Sequence, residues 1–517
     1  MKAEPSLVLA DAHSVLTGLA RLRLSRGLND GNLPTRSKCD VRRVEVVSVS
    51  ALASAPPAGS WAPPLQLDRD AAVDRTVRLV TGLTLWLGLL LVTYWWVANG
   101  GVTDLAHWES GLTSLGRITG LWSADLLLIQ VLLMSRLPPL EHAFGRDRLA
   151  RRHRVVGLLS FSLLIAHIVL IIAGYASGQW SAVLSTVWDL ITSYGGILLA
   201  FGGTACLIMV VITSVKAARR RLRYESWHLL HLYGYLGVGL ALPHQLWTGQ
   251  EFLQSPAATV YWWTLWAAAA GAILVWRILL PLWRSARYRL RVAGVVRESS
   301  DVVSVYLTGH RLDRLPLRAG QFINIRFLSR PGWTRANPFS LSIAPNSHTL
   351  RITARALGDG STRLAYLRPG TWALFEGPYG RLSSRARTQR KVLLAGAGVG
   401  ITPLRALAEG LEYAPGEAIM LQRYTAEPLF KAELETLAAH RGLHVVDLPG
   451  PRHTSTSVLG PAARGMSELI ALQRWIPDIA EREVFLCGPS TWTDGMEHLL
   501  LAAGLPSDRI HTESFGW

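Results

Sequence analysis

The chain has 517 residues, of which 50% are apolar and 20 are Trp; that length suits several domains, and that composition exceeds what an ordinary soluble enzyme carries. The formal net charge is +17, from 53 Lys and Arg against 36 Asp and Glu. The cysteines Cys39, Cys206 and Cys487 lie far apart with no CxxC pair, which excludes a disulfide framework, a thiolate zinc site and a ferredoxin-type iron–sulfur module within this chain.

Residues 1–75 mix Ala, Ser and Pro with charges and hold no sustained period, and Glu4 and Asp11 interrupt the one apolar stretch. A disordered cytoplasmic tail without a cleavable leader is expected. Six apolar segments follow, near 77–98, 115–135, 155–175, 193–214, 228–246 and 260–283. Each approaches the about 20 residues that a helix needs to cross a bilayer, and the fifth is the least apolar. Arg136, Arg146, Arg148, Arg151, Arg152 and Arg154 lie between spans two and three. Lys216, Arg219, Arg220, Arg221 and Arg223 lie between four and five, and Arg284, Arg287, Arg289 and Arg291 follow six. The loops near 99–114, 176–192 and 247–259 hold no Lys or Arg. The positive-inside rule then places both termini in the cytoplasm, in what is expected to be a bacterial cell membrane. Membrane lipid, not nucleic acid, is the partner that the excess of basic residues implies.

Ionisable side chains within spans are costly and mark function. Span three carries His153 and His167; span five carries His228, His231 and His244. The 14-residue spacing of His153 and His167 puts both on one helix face, about 21 Å apart along the axis. The 13-residue spacing of His231 and His244 turns the second ring off the first face, and Pro243 is positioned to restore it by bending the helix. Spans three and five run in the same direction, so His153 pairs with His231 and His167 with His244. Two neutral imidazoles per site suit the axial positions of a low-spin haem. His228 competes with His231 for the inner site. Arg117, near the outer end of span two, reads either as a side chain reaching the headgroups or as a partner for an outer haem propionate or an anionic acceptor.

After Arg291 the pattern becomes strand-like over 288–309 and 320–327, as in a small antiparallel barrel. Asn337–Ser342 reads as an extended strand with alternating hydroxyls at Ser340 and Ser342. Arg355 and the turn Gly358–Thr362, with Ser361 and Thr362, offer a guanidinium, backbone donors and hydroxyls suited to a pyrophosphate. The segment 391–404 reads as a buried strand, a glycine turn (Gly396, Gly398, Gly400) and a helix start at Thr402 and Pro403. Strands at 418–424, 443–448 and 483–489 alternate with helices, which predicts a doubly wound parallel sheet. Arg423 ends the second strand, where a 2′-phosphate would lie, and so favours NADPH over NADH.

Taken together these segments resemble the ferric reductase and NADPH oxidase superfamily of transmembrane flavocytochromes over about residues 75–517. The histidine pairs match at their 14 and 13 spacing. The family's flavin strand, His-Pro-Phe-Ser/Thr, is similar to Asn337-Pro338-Phe339-Ser340, with Asn337 in place of His. Its nicotinamide motif, Gly-x-Gly-x-Gly-Ile/Val-Thr-Pro, matches 396–403, and its Cys-Gly-Pro matches Cys487-Gly488-Pro489 near the hydride path. Its terminal aromatic over the flavin corresponds to Phe515, with Trp517 as the rival. The resemblance implies a multidomain fold: a tail (1–75), a six-helix transmembrane haem bundle (76–286), an FAD-binding β-barrel (287–388) and an α/β nucleotide-binding domain (389–517). It also implies FAD, two haems b and NADPH (or NADH), with Cys487, Phe515 and Ser340 nearest the chemistry. Electrons would pass from the cytoplasmic nucleotide to an external acceptor, either ferric iron or oxygen. The alternative is a relay that supplies a partner membrane or periplasmic protein.

Overall fold

The computed structural model describes residues 65–517 except 220, 223, 252–254, 330–334, 452–456 and 515–517. The chain divides into two compact units, Met1–Ser48 and Val49–Trp517, and all described residues belong to the second. Phe515 and Trp517, the expected flavin covers, lie outside the described residues.

The N-terminal half is helical: α1 (Leu65–Ala98), α2 (Trp108–Leu133), α3 (Pro138–Phe144), α4 (Arg146–Tyr175), α5 (Val183–Ser193), α6 (Ile197–Ser214), α7 (Tyr224–Thr248), α8 (Pro256–Ala272) and α9 (Leu280–Tyr288). A π-helical segment, Ile273–Leu279, joins α8 to α9. Among the described residues five stretches are long and apolar enough to cross a membrane: Ala72–Ala98, Trp108–Leu133, Arg148–Tyr175, Ile197–Ser214 and Pro256–Tyr288. The predicted fifth span lies in α7, which has 25 residues but falls outside that set; His228, His231, His244 and Gln245 dilute its apolar character. Two features differ from the sequence-based expectation. The first helix begins at Leu65, inside the stretch expected to be an irregular tail, and the outer loop near 176–192 contains α5. Leu184 and Trp188 project from α5 into the surroundings, as from a helix lying in the headgroup layer.

Leu79, Leu83, Trp86, Leu87, Leu90 and Tyr94 of α1 are each more than half exposed. A row of that kind on one helix has no stable place in water and belongs against lipid. Between helices, where lipid gives no hydrophobic drive, small residues allow close approach. A Cβ on Gly203 (α6) would lie 2.7 Å from the Gly237 carbonyl (α7), and one on Gly237 would lie 2.9 Å from the Gly203 carbonyl. A Cβ on Gly116 (α2) would lie 2.9 Å from Ile171 (α4). Tyr261 (α8) donates to the buried Asp125 (α2), beside Gly88 of α1, and so ties three helices together within the membrane layer.

The C-terminal half begins with two three-stranded antiparallel sheets. One has the order β1 (Arg291–Arg297), β2 (Val302–Thr308), β5 (Thr349–Arg355); the other has the order β4 (Asn337–Ser340), β3 (Phe322–Phe327), β6 (Ala373–Tyr379). Isolated bridges, Arg291 to Trp372 and Leu341 to Ile352, link their margins. Val305, Leu307, Ile323, Ile325, Leu341 and Ile352 form the core between them. The short helix α10 (Asp359–Thr362) follows β5. A five-stranded parallel sheet then runs in the order β11 (Ile510–Ser514), β10 (Glu483–Gly488), β7 (Val392–Ala397), β8 (Ala418–Arg423), β9 (His444–Leu448). Helices α11 (Ile401–Gly410), α12 (Lys431–Arg441), α13 (Glu468–Trp475) and α14 (Ser490–Ala502) connect its strands. Continuous apolar strands such as Val392–Ala395 and Val484–Leu486 are buried completely, as parallel strands covered on both faces require.

The helical half and the sheets meet along a polar seam. Ser285 of α9 accepts from Phe375 N at 3.0 Å, Arg284 donates to the Gly377 carbonyl, and Arg385 pairs with Asp74 of α1 at 2.9 Å. The Arg136 guanidinium lies over the Tyr379 ring, 4.6 Å from its centre. Because the Gly203–Gly237 contact is backbone against backbone, Gly203→Leu is expected to destabilise the bundle by about 1–3 kcal/mol through overpacking. A thermal melt of purified protein in detergent would register this as a lowered midpoint, and an unchanged midpoint would show that α6 and α7 are not held at this distance.

Candidate functional site

Helices α4 and α7 bring His153 and His231 face to face. His153 and His231 have ring centres 6.0 Å apart with their planes at 67°. Each ring is fixed through Nδ1: His153 bonds the Gln130 carbonyl at 3.2 Å, and His231 meets the Ser214 hydroxyl at 3.3 Å. With Nδ1 engaged, Nε2 is the nitrogen left to bind. A metal held here would take one imidazole nitrogen from each of His153 and His231. Trp227 stacks on His231 at 5.0 Å and donates to the same Ser214 hydroxyl.

In the outer pair only one ring is anchored through Nδ1, since His244 Nδ1 is buried without a hydrogen-bond partner among the described residues. His167 Nδ1 bonds the Gly116 carbonyl at 2.7 Å, and a Cβ on Gly120 would lie 2.5 Å from that ring. The glycines of α2 therefore make both the anchor and the space for His167. His244 sits within α7, which continues as a helix through Pro243. Gly196 approaches its backbone at φ +82, where a Cβ would lie 2.6 Å from His244 N. Helices α4 and α7 make almost no backbone contact with each other, because α4 packs along α2 and α7 along α6. The rings of His153 and His231 therefore meet across the space between the two helix pairs. Among the described residues no group of three or more His, Cys, Asp or Glu could hold a metal by itself. A two-nitrogen site suits an iron whose remaining ligands come from a macrocycle, and the donor chemistry fits haem.

His228, the competitor, lies one turn below His231 near Arg136, Arg277 and Glu376, and the ring that faces His153 is that of His231. Arg117 donates to Glu251 and lies 3.4 Å from Asp104, so its charge is already matched by carboxylates on the outer side.

In the flavin sheets, Ser340 stands opposite Phe322, which stands opposite Tyr379. The flavin strand is thus two strand spacings, about 10 Å, from the residue beneath Arg136. Asn337 abuts Gly360, where a Cβ would lie 2.9 Å from its amide nitrogen, and an open cleft lined by Ala356–Asp359, Thr362 and Arg363 lies beside it. Arg355 is half exposed and bonds Asp301 at 2.5 Å. The Ser361 hydroxyl caps the turn by accepting from Leu357 N and Gly358 N, and the Thr362 hydroxyl donates to the Gly358 carbonyl. These residues form an exposed turn beside the cleft in which Ala356 N, Leu357 N and Gly358 N are already engaged. Phe339 and Ser342, by contrast, turn inward: Phe339 joins the core between the sheets, and Ser342 is fully buried with its hydroxyl bonded to Arg351 and Thr353. Pro338 stands opposite Asn324 on β3.

In the parallel sheet the chain leaves β7 toward β8 and later returns to its other side at β10. Open α/β sheets bind ligands at such a reversal, beyond the carboxyl ends of the strands. The turn Gly396–Gly400 and the turn Cys487–Pro489 flank that point, with Gly396 in register with Cys487. Gly400 lies against the Cys487 carbonyl, with no room for a side chain. The Thr402 hydroxyl donates to the Val399 carbonyl, and Thr402 and Pro403 are buried in the first turn of α11. Cys487 is fully buried, and burial, reinforced by Glu513, pushes its thiol well above the ordinary value. Arg423 is buried and donates to the Tyr424 and Leu448 carbonyls at 2.6 and 2.9 Å, beneath Gly460.

Sequence reasoning did not single out the anchors Gly116, Gly120, Gln130 and Ser214, nor the pair Asp125–Tyr261. Gly116 and Gly120 carried a signal, since small residues four apart on a span mark a close helix contact. Carbonyl and hydroxyl partners carried none.

Residues 119–242 match the family model described as ferric reductase like transmembrane component. The C-terminal half is similar to flavin-dependent reductases. An NADPH oxidoreductase of Mycobacterium tuberculosis is 31% identical over 249 residues, which cover 46% of this chain and 62% of that protein. A glycine betaine monooxygenase reductase subunit of Pseudomonas aeruginosa is 26% identical, covering 45% and 66%. The FAD/NAD-binding domain of a nitric oxide dioxygenase from Vibrio cholerae is 23% identical, covering 45% of this chain and all of that one, at a TM-score of 0.36. The chain spans less than two thirds of the length of these first two curated relatives. The chain thus combines apolar helices, part of them similar to a ferric reductase like transmembrane component, with a part similar to NADPH oxidoreductases and monooxygenase reductase subunits.

Two outcomes follow from the nucleotide sheet. Arg423→Ala removes the guanidinium donor from the Tyr424 carbonyl and the second donor from the Leu448 carbonyl, which keeps Tyr424 N, and is expected to lower stability by about 1–3 kcal/mol, while the ratio of kcat/KM for NADPH to that for NADH stays within about threefold. A change of tenfold or more in that ratio would show that Arg423 contacts the nucleotide. Cys487, neutral and enclosed, is expected to resist iodoacetamide at pH 8 until the protein is denatured; mass spectrometry of the alkylated peptide distinguishes the two states.

Proposed function

We propose that the chain is a transmembrane oxidoreductase that moves electrons from cytoplasmic NAD(P)H, through FAD and two bis-histidine haems b, to an acceptor on the far side of the membrane. The observation that carries this reading is the 6.0 Å approach of His153 and His231 with both Nδ1 atoms engaged. His153 and His231 would each give Nε2 to one iron, and His167 and His244 would serve a second, about four helical turns farther out on α4. We read α7 as a span as well, the fifth in chain order and completing a set of six, its lower hydropathy being the cost of its histidines. The four domains have the boundaries 1–75, 76–286, 287–388 and 389–517, and the two three-stranded sheets, bridged at both margins, form one six-stranded barrel.

When bound, flavin converts a two-electron hydride into single electrons, and bis-imidazole haems carry these across the bilayer. The chain's own residues do the rest. The Gly396–Gly400 turn lets the backbone close on the nucleotide, and the N-terminus of α11 faces its phosphates. Cys487 supplies a neutral, dry wall next to the nicotinamide. Asn337, Ser340, Arg355, Ser361 and Thr362 orient the flavin and its pyrophosphate. Arg136 and Tyr379 close the seam between flavin and membrane against water. The external acceptor is ferric iron or oxygen. Arg117 holds the outer rim together through Glu251 and Asp104, and is therefore assigned to architecture.

The test is a reduced-minus-oxidised difference spectrum of purified protein after addition of NADPH. Haem bands are expected in the wild type. His167→Ala and His231→Ala are each expected to lose about half of the haem, measured as pyridine haemochrome per polypeptide. Full haem content in both variants would refute the ligand assignment.

A further inference from the structure

An ionic cluster, unused by the electron path, lies where the flavin strand, the nucleotide helix and the helix after β8 converge. Arg351 of β5 is 2% exposed. Its guanidinium grips Glu433 of α12 with both nitrogens, Nη1 to Oε1 at 2.6 Å and Nη2 to Oε2 at 2.9 Å. The same guanidinium donates to the Ser342 hydroxyl at 2.8 Å and to the Ser342 carbonyl at 3.0 Å. Arg405 of α11 donates to that same carbonyl at 3.2 Å, and its Nε lies 2.6 Å from Glu433 Oε2. Glu409, one turn further along α11, bonds Arg405 and accepts from Ala344 N at 2.7 Å. Phe430, held at φ +60 just before α12, stacks on Arg351 at 4.8 Å.

The connectivity matters more than the number of bonds. Ser342 lies two residues beyond Ser340 on the flavin strand. Arg405 lies one turn into the helix that starts at the nucleotide-binding glycine turn. One backbone carbonyl therefore receives an arginine from each side, and Glu433 binds both arginines. Burial pushes the Glu433 carboxyl up, but hydrogen bonds from Arg351 and the Arg405 charge outweigh it and leave the group below its ordinary value. A bidentate, enclosed pair of this kind fixes direction as well as distance. Removing one partner leaves an uncompensated charge.

We infer that Arg351, Arg405 and Glu433 act as a clamp that sets the distance between the flavin strand and the nucleotide-binding helix, making them positioning residues for hydride transfer. The inference rests on the function proposed above. It identifies these three residues as the ones that keep nicotinamide and flavin within reacting distance, where a shift of about 1 Å changes rates by up to 10²-fold.

The experiment uses full-length, haem- and flavin-loaded protein in nanodiscs, with stopped-flow bleaching of the flavin by NADPH and by 4-deuterated NADPH. Glu433→Gln and Arg405→Gln are expected to slow bleaching by at least tenfold and to raise the deuterium isotope effect. Flavin content, the dithionite-reduced haem spectrum and NADPH affinity should stay within about threefold. Arg351→Lys keeps the charge but loses the fork, and is expected to fall between wild type and Glu433→Gln. A rate per bound flavin equal to wild type in both glutamine variants would overturn the clamp. A loss that merely follows flavin content or melting temperature, with an unchanged isotope effect, would overturn it too by showing the cluster to be structural only. A wild-type protein whose flavin is not bleached by either NADPH or NADH would instead overturn the proposed function, and the clamp with it.

Discussion

Orientation of the imidazoles is the constraint from which the rest of the architecture follows. An imidazole that can rotate presents either nitrogen, and a pair of them then offers no defined position for an iron. Here His153 is turned by the Gln130 carbonyl and His167 by the Gly116 carbonyl, both on α2. A helical carbonyl already serves its own helix, so its second lone pair is the one the histidine uses. This requires α2 and α4 to lie close together, which requires glycine at 116 and 120. The helix pairing of the membrane half thus follows from the need to fix two rings: α2 supports α4, α6 supports α7, and the space between the two pairs stays open.

The extramembrane half obeys a comparable rule. Its binding turns are shaped by what cannot be there: Gly400 against the Cys487 carbonyl, Gly360 against Asn337. Its charged residues divide by burial. Arg355 is half exposed beside the cleft, whereas Arg423, Arg351 and Arg405 are enclosed and satisfied by carbonyls or carboxylates. Residues of one type in one domain thus separate into a group able to meet a ligand and groups that hold strands and helices in place.

Much of this was legible from the sequence because it depends on period and punctuation. The apolar spans, the basic loops, the glycine turn at 396–400 and the alternating strands are one-dimensional patterns, and the structure places helices, sheets and turns at them. The histidine pairing needed only spacing and direction, and the rings of His153 and His231 do meet. What was not legible depends on which side of a strand or turn faces inward. Ser340, Ser342 and Phe339 share a strand-like stretch in sequence, yet Ser342 and Phe339 serve packing. Arg423 ends a strand in the position expected for a phosphate ligand, but the Gly460 turn folds over it. Residues 65–75 lack a clean apolar period yet continue the first helix, because a helix once nucleated in the membrane propagates outward at little cost.

The π-helical segment Ile273–Leu279 is where the last span changes phase before it reaches the sheets. A π turn inserts a residue and rotates everything beyond it relative to what precedes it. Arg277, inside the segment, bonds the Met134 carbonyl at 3.2 Å, and just past it Arg284 and Ser285 engage β6. The span and the flavin sheet are therefore connected like a shaft keyed to a wheel, with no swivel between them. In such a linkage adding or deleting one residue turns the attached catalytic half by about 100°, so the length of this segment is restricted to steps that restore the phase.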